Sequence, residues 1–143
     1  MEFYFILVAP KVPENVGAAA RALKTMGFSG LWLVDTQAHQ QEKARWVAHG
    51  SRDILEQARL FPNLEAARNE LDVLIGTTAK TRSVKQDYCT PAQCRSFVYD
   101  KASKLQRIGL VFGREESGLT NGEIRLCDQV SSLPLAVSYP SLN

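Results

Sequence analysis

Arg107-Ile108-Gly109-Leu110-Val111-Phe112-Gly113-Arg114-Glu115-Glu116-Ser117-Gly118-Leu119-Thr120-Asn121-Gly122-Glu123 is the stretch that decides the fold. Residues 107–112 read as a core strand. Thr120 stands three residues before Glu123, the spacing at which a hydroxyl and a carboxylate cap a helix start reciprocally. A buried strand therefore runs into a charged turn and then into a capped helix. In open α/β sheets, loops of this kind at the carboxyl ends of parallel strands bind ligands. Gly113 is read as letting a ligand lie against the backbone. No Gly-Lys-Ser/Thr follows, so the turn is not a P-loop, and G-x-G-x-x-G is absent, which disfavours a dinucleotide fold.

Working outward, strands and helices alternate. Phe3-Tyr4-Phe5-Ile6-Leu7-Val8 is a β-branched and aromatic run closed by Pro10 and Pro13. A helix is expected over about 15–26, with Asn15 as N-cap and Gly27 as its end. Leu31-Trp32-Leu33-Val34 is a second strand. Short helices are expected at 44–48 and 53–58, around the break His49-Gly50-Ser51. Asn63 can cap a helix through Arg68. Residues 71–76 form a third strand, nearly all apolar, as befits a strand buried on both faces. The polar, basic stretch 80–87 reads as a loop. Thr90-Pro91-Ala92-Gln93 is a second capping box with proline at the first helical position. The Thr120 helix runs to about Leu126, and a last short strand covers 130–133. This alternation predicts an α/β fold: one domain with a parallel sheet and helices on both faces.

The 143 residues suffice for one domain with a real core. Lys and Arg number 17 against 15 Asp and Glu, so any basic face must be local. Residues 1–8 are too short for a signal peptide, and no apolar run reaches the ~18 residues of a membrane span. Three cysteines without a secretion signal predict reduced thiols in a cytoplasmic protein. Cys89 and Cys94 have only His39 and His49 to complete a metal set, and no metal is expected.

Two further blocks carry chemistry. On the first helix, Val16, Ala19, Ala20 and Leu23 form a stripe that can pack on the sheet. Gly17, Arg21 and Lys24 form another by i, i+4 and i+3 spacing. A glycine inside a helix costs about 1 kcal/mol against alanine, so close approach of a ligand or of backbone beside Arg21 is expected. Asn15 can cap the helix or meet a ligand. Gly76-Thr77-Thr78-Ala79-Lys80 ends the third strand in hydroxyls that can meet a polar ligand edge or merely cap a turn. Lys80, Arg82 and Lys85 make the next loop the best local basic patch. Tyr139-Pro140-Ser141-Leu142-Asn143 closes the sequence.

Together, N-x-G-x-x-x-R-A at 15–22, F-G-R-E-x-x-G-L-T-N at 112–121 and S-L-N at 141–143 resemble the SpoU–TrmH branch of the SPOUT methyltransferases. Ala22-Leu23-Lys24-Thr25-Met26-Gly27 and the Thr-rich strand end are similar to TrmJ-like tRNA 2′-O-methyltransferases and their LasT-type relatives. The resemblance spans nearly the whole chain. It implies a C-terminal trefoil knot, S-adenosylmethionine bound in that knot, a homodimer formed through it, and methyl transfer to a ribose 2′-hydroxyl of RNA, with the anticodon region of tRNA as leading substrate. It implies a catalytic cluster of Asn15, Arg21, Glu115, Ser141 and Asn143. Cofactor loops would include Thr77, Thr78, Ala79, Gly113, Leu133, Ser141, Leu142 and Asn143. RNA would meet Arg21, Lys80, Arg82 and Lys85. Family members continue past S-L-N into a helix that completes the knot and much of the dimer interface, so the domain is expected to be truncated before its last helix.

In the mechanism so implied, Arg21 is a hydrogen-bond donor rather than a base, because guanidinium is not deprotonated in proteins. It binds the adjacent phosphate and stabilises charge developing on oxygen. Asn15 orients the ribose, and Glu115 pairs with Arg21 or fixes a substrate amide. Two rivals remain at this point: a non-catalytic RNA-binding or interaction module on the same fold, and a nucleotide-binding α/β enzyme of other chemistry.

Overall fold

The computed structural model describes residues 1–78, 88–101, 104 and 106–132. Seven strands, β1 (Glu2–Val8), β2 (Gly30–Val34), β3 (Arg59–Phe61), β4 (Val73–Thr78), β5 (Tyr88–Cys89), β6 (Arg107–Phe112) and β7 (Gln129–Ser132), form one sheet in the order β3-β2-β1-β6-β4-β7-β5. Every pairing is parallel. The carboxyl ends of all strands therefore share one edge. β1 lies inside the sheet, with Phe5 beside Leu31 on one flank and Leu110 on the other. β4 is buried at every position, which explains its unbroken apolar and hydroxyl sequence.

Among the described residues, six α-helices cover the faces: α1 (Pro13–Met26), α2 (Glu42–Ala48), α3 (Arg52–Glu56), α4 (Leu64–Arg68), α5 (Pro91–Asp100) and α6 (Asn121–Leu126). On one face, Leu64 and Ala67 of α4 and Ile124 of α6 pack on Ile6, Trp32, Leu74, Val111 and Val130. On the other face, Val16, Ala20 and Leu23 of α1 pack with Leu31, Leu33 and with Ala44 and Ala48 of α2. Cys94 and Val98 of α5 form a separate cluster with Val73, Ile75 and Ile108. Among the described residues, no helix covers that face between the two clusters, over the middle of the sheet.

The capping boxes at Thr90 and Thr120 are both present, and Asn63 accepts from the Ala66 N–H at 2.8 Å. β3 and β5 escape sequence reading because they span three and two residues and carry too little pattern. Cys89 and Cys94 form a disulfide, which corrects the expectation of three reduced thiols. The physical reason is local: the Thr90 cap turns the chain straight from β5 into α5, leaving the two Cα atoms 6.0 Å apart. Among the described residues, no helix is long and apolar enough to cross a membrane.

Candidate active site at the carboxyl edge

Pro13 occupies the first turn of α1, and the residue before it, Val12, carries no capping side chain. The helix start is satisfied from a hundred residues away. The Glu115 carboxylate accepts from the Lys11 N–H with both oxygens at 3.1 Å, and its Oε1 from the Val12 N–H at 3.1 Å. Asn15 Nδ2 donates to the same Oε1 at 3.4 Å. Asn15 is therefore not the N-cap. Pro13 already starts the helix, which places Asn15 within the first turn with its amide aimed at Glu115. The apposition was not legible in sequence, although the absence of a capping residue before Pro13 signals a cap supplied from elsewhere.

The loop carrying Glu115 is itself held. Arg114 and Gly118 exchange two backbone hydrogen bonds of 3.1 and 2.9 Å. The Arg114 guanidinium donates to both oxygens of Glu123, at 2.8 and 3.3 Å. Glu123 in turn accepts from the Thr120 N–H at 2.7 Å. One carboxylate thus closes the α6 capping box and clamps the loop. Gly113 is explained by this hairpin. A Cβ there would fall inside the backbone of Gly118 and Leu119, so the glycine serves its own loop before any ligand.

Burial alone would raise the Glu115 pKa. The N–H groups of Lys11 and Val12, with the Asn15 amide, outweigh it and hold the carboxyl below its usual value of 4.5. A depressed folded pKa contributes stability that is complete above the unfolded value and is lost as pH falls through the folded one. Glu115→Gln is expected to cost about 1 kcal/mol at pH 7, the order of a lost helix cap, and to flatten the loss of stability on acidification below pH 4.5. Melting curves at the two pH values check this, and a variant as stable as wild type at pH 7 would remove the capping role.

A cleft of about 370 Å³ opens between α1 and the β1–β6 edge, lined in part by Asn15, Ala18, Ala19, Ala22, Gly113 and Glu115. It shares Phe112 with a larger, almost wholly apolar trough of about 530 Å³ that runs over the gap in helix cover, past Phe3, Ile75, Leu110 and Val98. Arg21 is exposed and does not line the cleft. It lies on the row next to Ala18, at i, i+3. No ion pair joins it to Glu115, whose bonds go to Lys11, Val12 and Asn15, so of the two alternatives expected for Glu115, pairing with Arg21 or fixing a substrate amide, the first is corrected. Gly17 is buried, and the close approach it permits is that of α2. A Cβ would collide with the Ala44 carbonyl oxygen and stand 3.1 Å from the Ala48 nitrogen. Lys24, on the same row, donates to the Gly50 carbonyl at 3.0 Å and pairs with Asp53 at 3.2 Å.

Thr77 and Thr78 are buried at the end of β4. The Thr77 hydroxyl donates to the Val111 carbonyl at 2.9 Å. Its register partner Ser131 on β7 carries a buried hydroxyl with no hydrogen-bond partner among the described residues, and both residues line the trough. Ser131 was not singled out from sequence, since a serine in Val-Ser-Ser carries no signal. Ala79, Lys80, Arg82, Lys85, Leu133, Ser141, Leu142 and Asn143 lie outside the described residues, as does the segment assigned to the knot. Among the described residues, no three His, Cys, Asp or Glu side chains converge as a metal site.

This chain is similar along its whole length to known proteins. The uncharacterized tRNA/rRNA methyltransferase LasT of Escherichia coli (strain K12) is 48% identical over 143 residues, which is 100% of this chain and 63% of that protein. The tRNA (cytidine/uridine/adenosine-2′-O-)-methyltransferase TrmJ of Pseudomonas aeruginosa is 36% identical over 138 residues, 96% of this chain and 54% of that one. The crystal structure of TrmJ from Z. mobilis ZM4 superposes with a TM-score of 0.87 at 30% identity, covering 100% of this chain and 63% of that one. The chain thus spans between about half and two thirds of the relatives it matches. The model of the SpoU rRNA methylase family matches residues 2–143, with the parallel sheet and the Asn15–Glu115 junction inside that span; the chain belongs to this family.

Proposed function

We propose that this chain is the catalytic domain of an S-adenosylmethionine-dependent methyltransferase acting on a ribose 2′-hydroxyl of RNA, with tRNA in the anticodon-loop region as substrate. The observation that carries the reading is the junction of Asn15 with Glu115 at 3.4 Å, across the mouth of a cleft at the carboxyl edge, with exposed Arg21 on the adjacent helical row. A non-catalytic module would keep Glu115 to hold the start of α1, but it has no need of Arg21 exposed beside the cleft.

The cofactor supplies an electrophilic methyl group. The residues present fit such a group: Ser131 offers a buried hydroxyl, unpartnered among the described residues, beside Thr77 at the end of the apolar trough. Thr77, Thr78 and Gly113 would hold it together with Ala79, Leu133, Ser141, Leu142 and Asn143. Glu115 acts as a positioning residue, since its oxygens are engaged by Lys11, Val12 and Asn15. It fixes the Asn15 amide, which orients the ribose. Arg21 donates to the adjoining phosphate and stabilises negative charge on the 2′-oxygen as its proton leaves. Such alignment of bound reactants removes on the order of 7–11 kcal/mol of barrier at best. Ser141 and Asn143 complete the catalytic cluster, and the 2′-hydroxyl distinguishes RNA from DNA. Lys80, Arg82 and Lys85 attract phosphate in a salt-dependent way. A reaction on tRNA places the protein in the cytoplasm.

We place the homodimer contact on the face that carries the apolar trough. The test is transfer of a labelled methyl group to tRNA from cells lacking this protein. Label that co-migrates with 2′-O-methylated nucleotides supports the reading. Absence of transfer together with retained RNA binding would replace it with a binding module.

A further inference from the structure

At the carboxyl ends of β2 and β3, beyond β1 from the Glu115 loop, lies a second cavity of about 500 Å³, lined by Asp35, Thr36, Gln37, Leu60, Phe61 and Pro62. One wall is apolar and the other polar. Leu60 is 45% exposed, although it sits on a sheet strand. Thr36 ties the cavity to the proposed site. Its hydroxyl donates to the Pro10 carbonyl at 3.1 Å and accepts from the Ala38 N–H at 3.1 Å, beside the Lys11 and Val12 amides that hold Glu115.

The side chains of Asp35 and Gln37 are exposed and take part in no salt bridge among the described residues, and the Asp35 carboxylate is close enough to the Arg114 guanidinium to help hold it charged. Asp35, just past β2, is left-handed, with φ of 54°, and so is Ala9, just past β1, with φ of 45°. Non-glycine residues in this region cost of order 1–3 kcal/mol, and such residues cluster at sites of function. Both bends are fixed by sheet hydrogen bonds, Ala9 N–H to Val34 at 2.7 Å and Asp35 N–H to Phe61 at 2.9 Å.

A lining half apolar and half polar, with the Asp35 carboxylate and the Gln37 amide exposed, matches a heterocyclic base, which has flat faces and a hydrogen-bonding edge. A carboxylate only accepts, so the edge it meets must present N–H groups. Guanine presents two side by side, at N1 and at its exocyclic amine, and its O6 beside them accepts from an amide. We infer that this cavity holds an unpaired guanine neighbouring the methylated nucleotide, with Asp35 accepting from N1 and N2 and Gln37 donating to O6. The inference rests on the RNA methyl-transfer reading. It makes Asp35 and Gln37 specificity residues of that site rather than catalytic ones.

The test has two arms. In the first, the full chain is titrated with GMP, IMP and UMP while the amide resonances of residues 35–37 and 60–62 are followed. GMP is expected to shift them. IMP, which lacks the exocyclic amine, should bind at least about five-fold more weakly, the lower end of what a two-bond base contact contributes. Asp35→Asn should bring GMP down to the level of IMP. Equal shifts with all three nucleotides, or GMP shifts unchanged in Asp35→Asn, overturn the inference. The second arm compares methyl transfer by wild type and Asp35→Asn on RNAs with guanine or uridine beside the target. Loss confined to the guanine substrates is expected, and loss on both or neither counts against the assignment. Nucleotide-specific shifts in a chain that methylates no RNA would instead leave the base site standing and remove the methyl-transfer reading beneath it.

Discussion

Replacing Arg21 by alanine is expected to lower methyl transfer to tRNA by at least about 100-fold, while binding of S-adenosylmethionine is unchanged. The size follows from removing one donor aimed at developing negative charge, which costs ~10²–10³ in rate. The separation of effects follows from position. Arg21 lies on the α1 row beside the cleft, whereas the hydroxyls of Thr77 and Ser131 lie across the sheet, on β4 and β7. Arg21→Lys discriminates further. Lysine keeps the charge and loses the planar fork, so a variant with most of its activity makes the role one of charge alone, and a variant as poor as alanine makes it one of geometry. Single-turnover rates with saturating cofactor, beside calorimetric cofactor binding, read both quantities. Wild-type rates in Arg21→Ala would take this residue out of the mechanism.

Gly17→Ala is the second large effect, and its sign is decided by two opposed terms. Alanine favours the helix by about 1 kcal/mol. Its methyl group, however, meets the backbone carbonyl of Ala44, which cannot rotate aside as a side chain would. Overpacking of this kind typically costs 1–3 kcal/mol, occasionally more. Backbone against a methyl belongs at the upper end, so a net loss of about 2 kcal/mol is expected, with α2 displaced from α1. For a domain of this size that is a fall of roughly 5–10 °C in melting temperature. If the glycine instead made room for a ligand, the variant would be as stable as wild type and would lose ligand binding. Thermal melts beside activity at a permissive temperature distinguish the two.

The legible and illegible parts of the sequence divide along physical lines. Phe3 to Val8, Leu31 to Val34 and Arg107 to Phe112 read correctly because central parallel strands need apolar side chains on both faces. Thr90, Thr120 and Asn63 read correctly because capping is local, with donor and acceptor within four residues. The failures are non-local. Glu115 as the cap of α1, Gly17 as the seat of α2 and Gly113 as a hairpin glycine each depend on what packs beside them, and spacing along the chain does not carry that. The reading of Gly17, Arg21 and Lys24 as a row closely approached by a ligand or by backbone had the right geometry, and the structure selects backbone. The row does adjoin something close, and that something is a helix. The cysteines show the same limit from the other side: counting them favoured free thiols, whereas the turn at Thr90 brings Cys89 against Cys94. Asp35 carried no sequence signal at all, since its interest comes from a backbone angle and from a cavity formed with β3.

The inner position of β1 has a consequence for how the protein is made. Residues 2–7 leave the ribosome before either of their partners and find β2 within some thirty positions, but their other flank pairs with 107–112. At translation rates of about 5–20 residues per second, that flank stays open for roughly 5–20 s. Throughout this interval an apolar strand edge, already backed by a partner, is available to nascent chains on neighbouring ribosomes. Slow codons between the two segments would lengthen the exposure, and a chaperone that shields strand edges would have its main task here.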